Sequence, residues 1–469
     1  MVRDLNGKRA TVVGLARSGV GAANLLSRLG AAVTVTDKKK PQELAGFLDH
    51  LDPAVKKELG HHPLSLFEET DLIVISPGVP LTIAPLRQAA ARGIPVIGEL
   101  ELAYQLISED ALPQAKRPLL LAVTGTNGKS TTASLVYAMM KNGGFRTLFG
   151  GNIGTALTEV LSGSTEQGGR AECFVVEVSS FQLETIETFR PTCASILNIT
   201  PDHLDRYHSL EEYTGAKCRI ALNQREGDVL ILNADDEMTE EVLNRIKGSP
   251  RILYFSRKRP VEGAYYREGR IVFSIPRLQG VTAPPDFAVP GSAIAIKGVH
   301  NIENAMAASL MALVSGCGAD AVAETLRSFP GLEHRLEAVR ELDGVTFIND
   351  SKGTNVGAVI KSLESFSEPV VLIAGGRDKD SDFAVLRPLV KERVKALVLI
   401  GEAREKLRKA LGDVAQTVME DDFQSAVARA KQLAAPGDVV LLSPACASFD
   451  MFKDFEDRGR QFKKLVNAL

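Results

Sequence analysis

A single stretch, residues 119–141, limits the possible folds more than any other part of this 469-residue chain. It reads LLLAVTGTNGKSTTASLVYAMMK: an apolar run typical of a buried strand, a short loop, and a run with helical character. The sequence Asn-Gly-Gly follows at 142–144, and such residues commonly end helices. We therefore predict a strand over 119–125, a helix over 129–141, and a domain in which strands and helices alternate.

The loop between this strand and helix has the composition of a phosphate-binding loop. Gly125 and Gly128 allow main-chain N–H groups to approach a phosphate, and the N-terminus of the following helix adds partial positive charge. Lys129 is placed to reach terminal phosphates, and Ser130 is placed to ligate magnesium. The spacing is not the common one, because Val123 stands where the first glycine is expected. A glycine-rich turn without function is the alternative, but the strand, loop and helix together favour nucleotide binding.

The rest of the chain repeats this alternation, which predicts an α/β fold with parallel sheets. The length suggests about three domains of roughly 150 residues each, and we place them at 1–112, 113–331 and 332–469, with a polar linker near 108–118. The predicted elements are strands 9–15, 32–37, 72–78 and 94–99; then strands 119–125, 172–179, 194–200 and 228–234 with a helix over 302–316; then strands 345–351, 370–376, 396–401 and 438–445. Nearly every strand ends in small, polar or charged residues. Because ligands bind at the carboxyl ends of parallel strands, we expect a site between domains.

Composition and charge argue against several classes of protein. The formal net charge of −3 gives no reason to expect nucleic-acid or membrane binding. No apolar run approaches the ~18 residues of a membrane span, and the N-terminus lacks the apolar core of a signal peptide. The five cysteines are scattered without a C-x-x-C pair, so neither a zinc site nor a disulfide framework is indicated. We expect a soluble, cytoplasmic monomer that neither binds nucleic acid nor inserts into a membrane.

Two further features could belong to a nucleotide enzyme. Glu177 ends a β-rich run and could hold magnesium, although a lone glutamate at a strand end is more often a solvated or helix-capping residue. The run GLARSGVG at 14–21 resembles a dinucleotide fingerprint, with Asp37 about 20 residues further on. That fingerprint requires a glycine where Ala16 stands, so the run favours a nucleotide or its diphosphate more than NAD in particular.

The segment 198–220 gathers polar residues ahead of an expected helix. Its candidates are Asp202, His203 and Asp205. A capping-box pattern, Ser209 with Glu212, predicts a helix over 210–222, and Lys217 lies within it. From spacing alone, the candidates would be ordinary loop residues and Lys217 a surface lysine.

Nine motifs follow one another in an order that resembles the Mur ligases, the ATP-dependent amide-forming enzymes of bacterial cell-wall precursor synthesis. They are SPG (76–78), TGTNGKST (124–131), GNIG (151–154), EVSSFQLE (177–184), DHLDRY (202–207), HNIENAMAA (300–308), HRLE (334–337), NDSKGTN (349–355) and SPACASFDMFKDFEDRG (443–459). The resemblance covers essentially the whole chain. It is greatest to the members that add D-glutamate, since the chain has no DNPR-type motif of the members that add diaminopimelate or lysine.

This resemblance implies a fold and a reaction. The fold would comprise a Rossmann-like domain that binds UDP, a central phosphate-loop ATPase domain with a parallel sheet, and a Rossmann-like C-terminal domain. ATP would convert the carboxylate of UDP-N-acetylmuramoyl-L-alanine to an acyl phosphate, which D-glutamate then attacks. Two magnesium ions would take part. Lys217 would be carbamylated by CO₂, since a carbamate can ligate a cation whereas an ammonium cannot.

The resemblance also implies a role for each matching residue. The catalytic residues would be Lys129, Glu177, His203 and Lys217, and the metal ligands would be Ser130, Glu177, His203 and carbamylated Lys217. ATP would contact Gly125, Thr126, Asn127, Gly128, Lys129, Ser130, Thr131, Asn301, Asn304, Arg335 and Asp350. The UDP-substrate would contact Ser18, Asp37, Lys38, Ser76, Pro77, Gly78 and Asn152. D-Glutamate would contact Thr354, Lys379, Ser448 and Phe455, with Lys352 close by.

Three other interpretations stay open on the sequence. A folylpolyglutamate-type ligase or another Mur ligase is disfavoured by the UDP-type first domain and the missing DNPR motif. A phosphate-loop ATPase that forms no bond would hydrolyse ATP without an amino acid. An NAD-dependent dehydrogenase is disfavoured by Ala16. Linkers near 108–118 and residue 330 further predict that the third domain swings towards the second when ATP and the UDP-substrate bind.

Overall fold

The computed structural model describes residues 5–108, 117–164, 170–203, 206–276, 287–296 and 298–469. Over these residues the chain forms three separate sheets, and helices pack against each of them, so the predicted α/β class is confirmed. We call the three sheet-based units the first, middle and third domains. Among the described residues, no helix is both long and apolar enough to cross a membrane.

The first domain alternates short strands with helices. Its elements are β1 (Arg9–Val13), α1 (Arg17–Arg28), β2 (Ala32–Asp37), α2 (Ala45–Leu48), β3 (Lys56–Leu59), α3 (Leu64–Glu68), β4 (Leu72–Ile75), α4 (Ala84–Ala91), β5 (Val96–Gly98) and α5 (Glu99–Ile107). The strands form a parallel sheet in the order β3-β2-β1-β4-β5. Val12, Val35 and Val74 lie on neighbouring strands with 1% or less of their surface exposed, as expected for a parallel sheet covered on both faces.

The middle domain contains the strand–loop–helix unit predicted over residues 119–141. Its elements are β6 (Leu119–Thr124), α6 (Lys129–Asn142), β7 (Thr147–Gly151), α7 (Leu157–Ser164), β8 (Cys173–Glu177), α8 (Ser180–Leu183), β9 (Cys193–Ile196), α9 (Leu210–Cys218), β10 (Val229–Asn233), α10 (Thr239–Arg245), β11 (Arg251–Ser256), β12 (Gly263–Arg267), β13 (Arg270–Ser274), β14 (Ala288–Pro290), α11 (Val299–Val314) and α12 (Ala319–Ser328). The sheet has nine strands in the order β14-β13-β12-β11-β10-β9-β6-β8-β7. Its pairing is parallel from β7 to β12 and antiparallel across β12, β13 and β14.

The third domain is a second mostly parallel sheet. Its elements are β15 (Glu337–Leu342), β16 (Val345–Asn349), α13 (Val356–Leu363), β17 (Val370–Gly375), α14 (Arg387–Arg393), β18 (Val394–Ile400), α15 (Arg404–Leu411), β19 (Gln416–Met419), α16 (Phe423–Leu433), β20 (Val439–Leu442) and α17 (Phe455–Ala468). The strand order is β15-β16-β20-β17-β18-β19, and only the β15–β16 pair among these ladders is antiparallel.

The structure corrects several predicted boundaries. Most predicted strands run past the observed ones by a few residues, because the polar residues at their carboxyl ends form loops. The helix predicted over 210–222 ends at Cys218 and continues only as a short 3₁₀ turn. Half of its capping box is present: Ser209 accepts from the Glu212 N–H, but the Glu212 carboxylate accepts from the His208 N–H. Most of the predicted linker near 108–118 lies outside the described residues.

Strand register brings distant parts of the sequence together at the carboxyl ends of the strands of the middle sheet. Val123 on β6 pairs with Glu177 on β8, and Thr124 pairs with Ile196 on β9. The loop after β6 therefore begins beside Glu177 on one side and beside the segment after β9 on the other. These residues can act together because the carboxyl ends of neighbouring parallel strands lie side by side.

Candidate active site

The loop between β6 and α6 is folded around the side chain of Lys129. Its Nζ donates hydrogen bonds to the main-chain oxygens of Gly125 at 2.9 Å and Thr126 at 2.8 Å. Gly128 has φ +83°, and a Cβ there would lie 2.3 Å from Oδ1 of Asn304, so a glycine is required for both reasons. The lysine thus holds the loop in a curved shape that leaves N–H groups available at the start of α6.

The segment after β9 holds the β6–α6 loop in place through hydrogen bonds. The side-chain oxygen of Asn198 accepts from the Asn127 N–H at 2.8 Å, and its amide donates back to the Asn127 oxygen at 3.1 Å. Thr126 Oγ1 donates to the Thr200 oxygen at 3.1 Å and lies 3.3 Å from the Tyr213 hydroxyl. Asn198 is not among the residues predicted from the sequence, although it lies near the end of a predicted strand.

Glu177 offers a carboxylate that is not fully satisfied by the protein. Only 2% of this residue is exposed. Its Oε1 accepts from the Asn152 side-chain amide at 2.8 Å, while Oε2 is buried without a hydrogen-bond partner among the described residues. An unpartnered buried carboxylate oxygen is costly, and a divalent cation is the natural partner for one at this position. The donor set therefore fits magnesium.

Asp202 and His203 follow β9 and face the third domain. The His203 N–H bonds the Asp202 carboxylate at 2.9 Å, and His203 has φ +56°, an uncommon left-handed conformation for this residue type. Burial lowers the pKa of His203, and the positive charges of Lys379 and Lys129 lower it further, against the opposing effect of Asp202. The imidazole is therefore favoured in its neutral, metal-binding form. Asp205, the third candidate of this segment, lies outside the described residues.

Lys217 is not the surface lysine that spacing alone suggests. It is 1% exposed, and its Nζ donates to the Gly125 oxygen at 2.8 Å, directly beneath the phosphate loop. The ammonium lies 4.5 Å from the ring centroid of Tyr213. Burial lowers the pKa of Lys217 well below its usual value, and nearby Lys129 lowers it further. The neutral amine is therefore much more accessible here than on an exposed lysine.

The third domain contributes a cation to the phosphate loop. Arg335 donates from Nη2 to the Ser130 hydroxyl at 2.8 Å, and burial lowers the pKa of its guanidinium. Its neighbour His334 is 3% exposed, and its Nδ1 lies 2.9 Å from the Asn349 amide nitrogen. This buried contact fixes the turn that carries Arg335.

The two asparagines expected near adenine lie on α11 and pair with each other. Asn304 donates to the Asn301 side-chain oxygen at 3.0 Å and accepts from Thr132 at 3.3 Å. Both residues line a cleft between the middle and third domains. In this arrangement Asn304 supports the first turn of α6.

A cleft of about 950 Å³ runs between the middle and third domains. Many predicted site residues line it: Thr126, Asn127, Gly128, Lys129, Ser130, Thr131, Asn152, Glu177, His203, Asn301, Asn304, Arg335, Asp350, Lys352, Thr354 and Lys379. Asp202 and Asn198 line it as well. Gly125 and Lys217 lie behind the phosphate loop instead of on the cleft wall. The cleft volume is in the range of nucleotide and substrate pockets.

Two buried groups of the third domain have strongly shifted proton affinities. Asp350 accepts from the hydroxyls of Ser362 at 2.6 Å and Ser443 at 2.7 Å, and burial raises its pKa to about 6. Lys352 lies 3.7 Å above the ring centroid of Phe455, and burial lowers its pKa to about 7. Both groups face the same cleft.

The predicted D-glutamate residues are not all brought together. Thr354 and Lys379 line the cleft, and the Lys379 ammonium lies 3.8 Å from Asp202. Ser448 and Phe455 lie outside the lining residues, although the Phe455 ring contacts Lys352. Another residue of the same motif, Arg458, is fully buried and was not predicted from the sequence.

Arg458 connects two segments at the carboxyl ends of strands in the third-domain sheet. It is fully buried, and it donates to the hydroxyl of Ser351 at 2.9 Å and to the main-chain oxygen of the same residue at 2.8 Å. It also donates to the Cys446 oxygen at 3.3 Å. These bonds tie the segment after β16 to the segment after β20.

Six of the seven predicted UDP residues lie on the first domain and do not line this cleft, and Asn152 is the exception. Ser18 is in the first turn of α1. The carboxylate of Asp37 accepts from the N–H groups of Leu15 at 2.7 Å and Lys39 at 2.9 Å, so it shapes the turn after β1. Lys38 is exposed.

The loop after β4 completes this edge of the first domain. The Ser76 hydroxyl donates to the Gly14 oxygen at 2.7 Å, and Val79 N–H donates to the Ser76 oxygen at 2.9 Å. Pro77 and Gly78 follow in this loop, and the Pro77 main-chain oxygen accepts from Arg206 of the middle domain at 3.0 Å. Asn152, from the same predicted set, lies on the middle domain beside Glu177.

Comparison with known proteins identifies the class to which this fold and site belong. Three family models match: Mur ligase MurD-like N-terminal domain over 8–98, Mur ligase middle domain over 123–312, and Mur ligase glutamate ligase domain over 334–446. A solved MurF ligase from Thermotoga maritima in complex with ADP has a TM-score of 0.60 at 17% identity, covering 100% of both chains. A pseudomurein peptide ligase type C from Methanothermus fervidus has a TM-score of 0.59 at 19% identity, covering 98% of this chain and 100% of the other.

Sequence relatives are much closer than these structures. A UDP-N-acetylmuramoylalanine–D-glutamate ligase from Geotalea uraniireducens is 46% identical over 99% of this chain and 98% of its own. An enzyme of the same name from Pelotomaculum thermopropionicum is 44% identical over 100% of this chain and 99% of its own. The chain belongs to the Mur ligase family.

Proposed function

We propose that this protein joins D-glutamate to the carboxylate of UDP-N-acetylmuramoyl-L-alanine, with conversion of ATP to ADP and phosphate, in peptidoglycan precursor synthesis. Full-length relatives with 44–47% identity bear the name of this ligase. The observation that carries the proposal is the cleft, in which the phosphate loop, an unpartnered glutamate oxygen and the cations of the third domain face one another. Such an arrangement suits phosphoryl transfer between two anions.

The reaction divides into two steps. In the first, the substrate carboxylate attacks the γ-phosphorus of ATP, the bond from phosphorus to the β–γ bridging oxygen breaks, and ADP leaves. In the second, the D-glutamate amine attacks the acyl carbon of the acyl phosphate to give a tetrahedral intermediate. Collapse of that intermediate expels phosphate, and the amine loses a proton to give the amide.

The chain's own cations support the first step. A carboxylate and a triphosphate repel each other, so catalysis needs neutralisation and alignment more than covalent help. Lys129 and Arg335 meet at the phosphate loop from two domains. We assign both to the ATP phosphates, Asn301 and Asn304 to the adenine end, and Asp350 to the ribose. The remaining loop contacts are Gly125, Thr126, Asn127, Gly128, Ser130 and Thr131.

Magnesium ions would be held at two sites by Ser130, Glu177, His203 and carbamylated Lys217. When bound, magnesium neutralises charge on the phosphates and orients the two reacting oxygens. The unpartnered Oε2 of Glu177 and the neutral imidazole favoured at His203 support this ligand set. Lys129, Glu177 and Asp202 are close enough to shift the pKa of Lys217, which places that residue in the same electrostatic environment.

Carbamylation of Lys217 follows from its neutral amine. The Nζ lone pair attacks the carbon of CO₂, one C–O π pair moves to oxygen, and the nitrogen releases a proton, leaving a carbamate anion. An exposed lysine is neutral about once in 2,500 molecules at pH 7. Burial beneath the phosphate loop lowers the pKa of Lys217 and removes much of this barrier.

A rescue experiment tests the carbamate. Lys217→Ala should lose nearly all ligase activity, and short carboxylic acids such as acetate or propionate should restore part of it by supplying the missing oxygens. Lys217→Arg keeps a cation and should not be rescued. Absence of rescue, together with a bare amine at Lys217 in the native protein, would contradict carbamylation.

The ends of the substrates are assigned to the outer two domains. Ser18, Asp37, Lys38, Ser76, Pro77, Gly78 and Asn152 would hold the UDP-substrate. Thr354, Lys379, Ser448 and Phe455 would hold D-glutamate, with Lys352 beside them. D-Glutamate carries two carboxylates, so a pocket with two lysines at the cleft is suited to it. We also propose that the enzyme works as a monomer in the cytoplasm.

The deciding experiment measures phosphate release from ATP with UDP-N-acetylmuramoyl-L-alanine and, in turn, D-glutamate, L-glutamate or meso-diaminopimelate. We expect release that requires both the UDP-substrate and D-glutamate. Release with another amino acid would move the acceptor assignment and leave the mechanism. Release without any acceptor would favour the ATPase interpretation and overturn the third-domain pocket.

A further inference from the structure

Arg206 connects the middle domain to the substrate loop of the first domain. Its Nη1 donates to the main-chain oxygen of Pro77 at 3.0 Å, across 129 residues of sequence. Its Nη2 donates to Oε2 of Glu184 at 2.7 Å, and the Tyr207 hydroxyl donates to the other oxygen of the same carboxylate. The side chains of Arg206 and Glu184 are 22% and 19% exposed, so this ion pair is largely shielded from water.

The same arginine is linked to the reaction centre through one aromatic ring. The guanidinium carbon of Arg206 lies 4.3 Å from the ring centroid of Phe181. The imidazole of His203 also packs on Phe181, edge to face, with the ring centroids 4.9 Å apart. Tyr207 stacks on Phe181 at 5.8 Å with an interplanar angle of 18°. A cation, a ring and the candidate metal ligand thus form a continuous packed row.

We propose that Arg206 is a positioning residue that couples the loop Ser76–Gly78 to His203, setting the distance between the UDP end of the substrate and its reacting carboxylate. This inference rests on the proposed function, because it requires one substrate to span both domains. Arg206 itself touches neither reacting atom. Its role is to hold the loop Ser76–Gly78, through the Pro77 carbonyl, at a fixed position relative to His203.

The geometry explains why the arginine rather than a lysine suits this position. A planar guanidinium can donate to two differently placed acceptors while its face packs on a ring. Here it bonds a first-domain carbonyl and a middle-domain carboxylate while lying against Phe181. A lysine would keep the charge but could not make all three contacts with a fixed geometry.

A merely structural arginine is available for comparison. Arg219 donates from Nε to the Leu183 oxygen and from Nη2 to the Ile186 oxygen, both at 2.7 Å. It thus braces the chain that follows α8, the same region that carries Glu184, but both of these bonds stay within the middle domain. Arg219→Met therefore removes comparable bonds without breaking the link to Pro77.

The test measures substrate binding by calorimetry with Arg206→Met, Arg206→Lys and Arg219→Met proteins. Loss of a charge-assisted hydrogen bond should weaken binding of UDP-N-acetylmuramoyl-L-alanine to Arg206→Met by about tenfold. ADP binding should change by less than about twofold, on the same free-energy scale. Arg206→Lys should recover part of the loss. Arg219→Met should lower the melting temperature but leave the Kd of the UDP-substrate unchanged.

A second variant addresses the His203 side of the row. Phe181→Leu removes the ring on which the imidazole and the Arg206 guanidinium both pack. It should raise the magnesium concentration needed for half-maximal activity and also weaken binding of the UDP-substrate. The double variant with Arg206→Met should show a smaller effect on substrate affinity than the two single effects combined, because the residues share one row. Strictly additive effects would overturn the coupling.

The outcomes separate this inference from the proposed function. If the wild-type protein does not bind the UDP-substrate, the proposed function fails and the inference fails with it. If the wild type binds it and Arg206→Met binds it equally well, the coupling alone is overturned. If Arg219→Met weakens binding as much as Arg206→Met, the effect is structural and the coupling is again overturned.

Discussion

The middle domain meets its two neighbours through interfaces of different construction. The interface with the first domain contains two buried glutamates whose carboxylates accept hydrogen bonds from the middle domain. Glu101 on α5 is fully buried, and its carboxylate accepts from the N–H groups of Glu187, Thr188 and Phe189 and from the Thr188 hydroxyl. Glu99, two residues earlier in the same helix, accepts from both the N–H at 2.7 Å and the hydroxyl at 2.8 Å of Thr158.

Towards the third domain the contacts are fewer and polar. Asp202 lies 3.8 Å from the Lys379 ammonium and accepts from the Asn355 amide at 3.2 Å. Arg335 reaches Ser130 at 2.8 Å. The cleft of about 950 Å³ lies between these two domains.

This difference suggests which domain can move. An interface of buried carboxylates satisfied by main-chain N–H groups is lost only at a high free-energy cost, because every donor would be left unpaired or must be rehydrated. Contacts between long polar side chains at the edge of a cleft exchange readily for water. We infer that the first and middle domains form a fixed platform, and that the third domain opens and closes on it.

The largest expected effect is from breaking the fixed interface at Glu101. Glu101→Ala removes the acceptor of four donors from the middle domain, of which the Phe189 N–H is buried and the others are partly buried. We expect the free energy of unfolding to fall by about 4 kcal/mol. Urea denaturation followed by circular dichroism measures this. Unfolding of the first domain should then separate from that of the middle domain.

A surface pair provides the control for this variant. Glu262 forms an ion pair with Arg251 at 2.9 Å, with their side chains 53% and 42% exposed. Glu262→Ala should change the unfolding free energy by less than about 1 kcal/mol. If Glu101→Ala were equally mild, the first interface would not be the fixed one.

A smaller effect is expected where the main chain of the first domain approaches Thr185 of the middle domain. Gly98 has no room for a side chain, since a Cβ there would lie 2.2 Å from Oγ1 and 3.3 Å from Cβ of Thr185. Gly98→Ala should therefore cost about 1–3 kcal/mol through overpacking, measured again by denaturation. Adding Thr185→Ala removes the closest atom and should recover most of the loss. A double variant no more stable than Gly98→Ala alone would rule out this contact as the cause.

Glu99 gives the same interface a pH dependence. Burial raises its pKa, and its Oε2 is buried without a partner among the described residues. The folded protein therefore holds this proton more tightly than the unfolded chain, so the stability contribution is present at low pH and is lost as pH rises through the folded pKa. Glu99→Gln mimics the protonated form, and we expect it to be more stable than the wild type at pH 7 but not at pH 4. Parallel pH profiles for the two proteins would contradict this.

Much of the fold was predictable because its signals are local. The runs that form β1, β6 and β17 are short and apolar and are followed by polar turns. Strand β3, with the sequence KKEL, was missed because an edge strand of charged residues has no apolar pattern. The β12–β13 hairpin was also missed, because its turn is Glu268-Gly269 and not the Asn-Gly or Asp-Gly pair that marks such a turn in a sequence. In the structure both turn residues have positive φ, +51° and +75°, as a two-residue hairpin loop requires.

The site was predictable only to the extent that it lies in one segment. The phosphate loop is encoded by consecutive residues, whereas the surroundings of Lys217 depend on how α9 packs beneath that loop. Helix α9 has no apolar stripe in its sequence, so nothing local indicates that Lys217 is buried. The third-domain pocket depends on the arrangement of two domains, which explains why Ser448 and Phe455 fall outside the lining of the cleft while Asp202 and Asn198 lie within it.

The smallest effect on stability, and the most informative about motion, is expected at Asp202. Asp202→Asn removes the charge that faces Lys379 at 3.8 Å, and such a partly exposed pair contributes about 1 kcal/mol or less. Unfolding should hardly change, but the closed arrangement should be less populated, because a small free-energy difference is enough to shift an equilibrium between two domain positions. X-ray scattering should show a larger radius of gyration for the ligand-free variant than for the wild type. A non-hydrolysable ATP analogue with the UDP-substrate should compact the wild type, while a distance between labels on the first and middle domains stays constant. Scattering profiles that are identical with and without both ligands would contradict the motion of the third domain. A change in the first-to-middle distance would contradict the fixed platform.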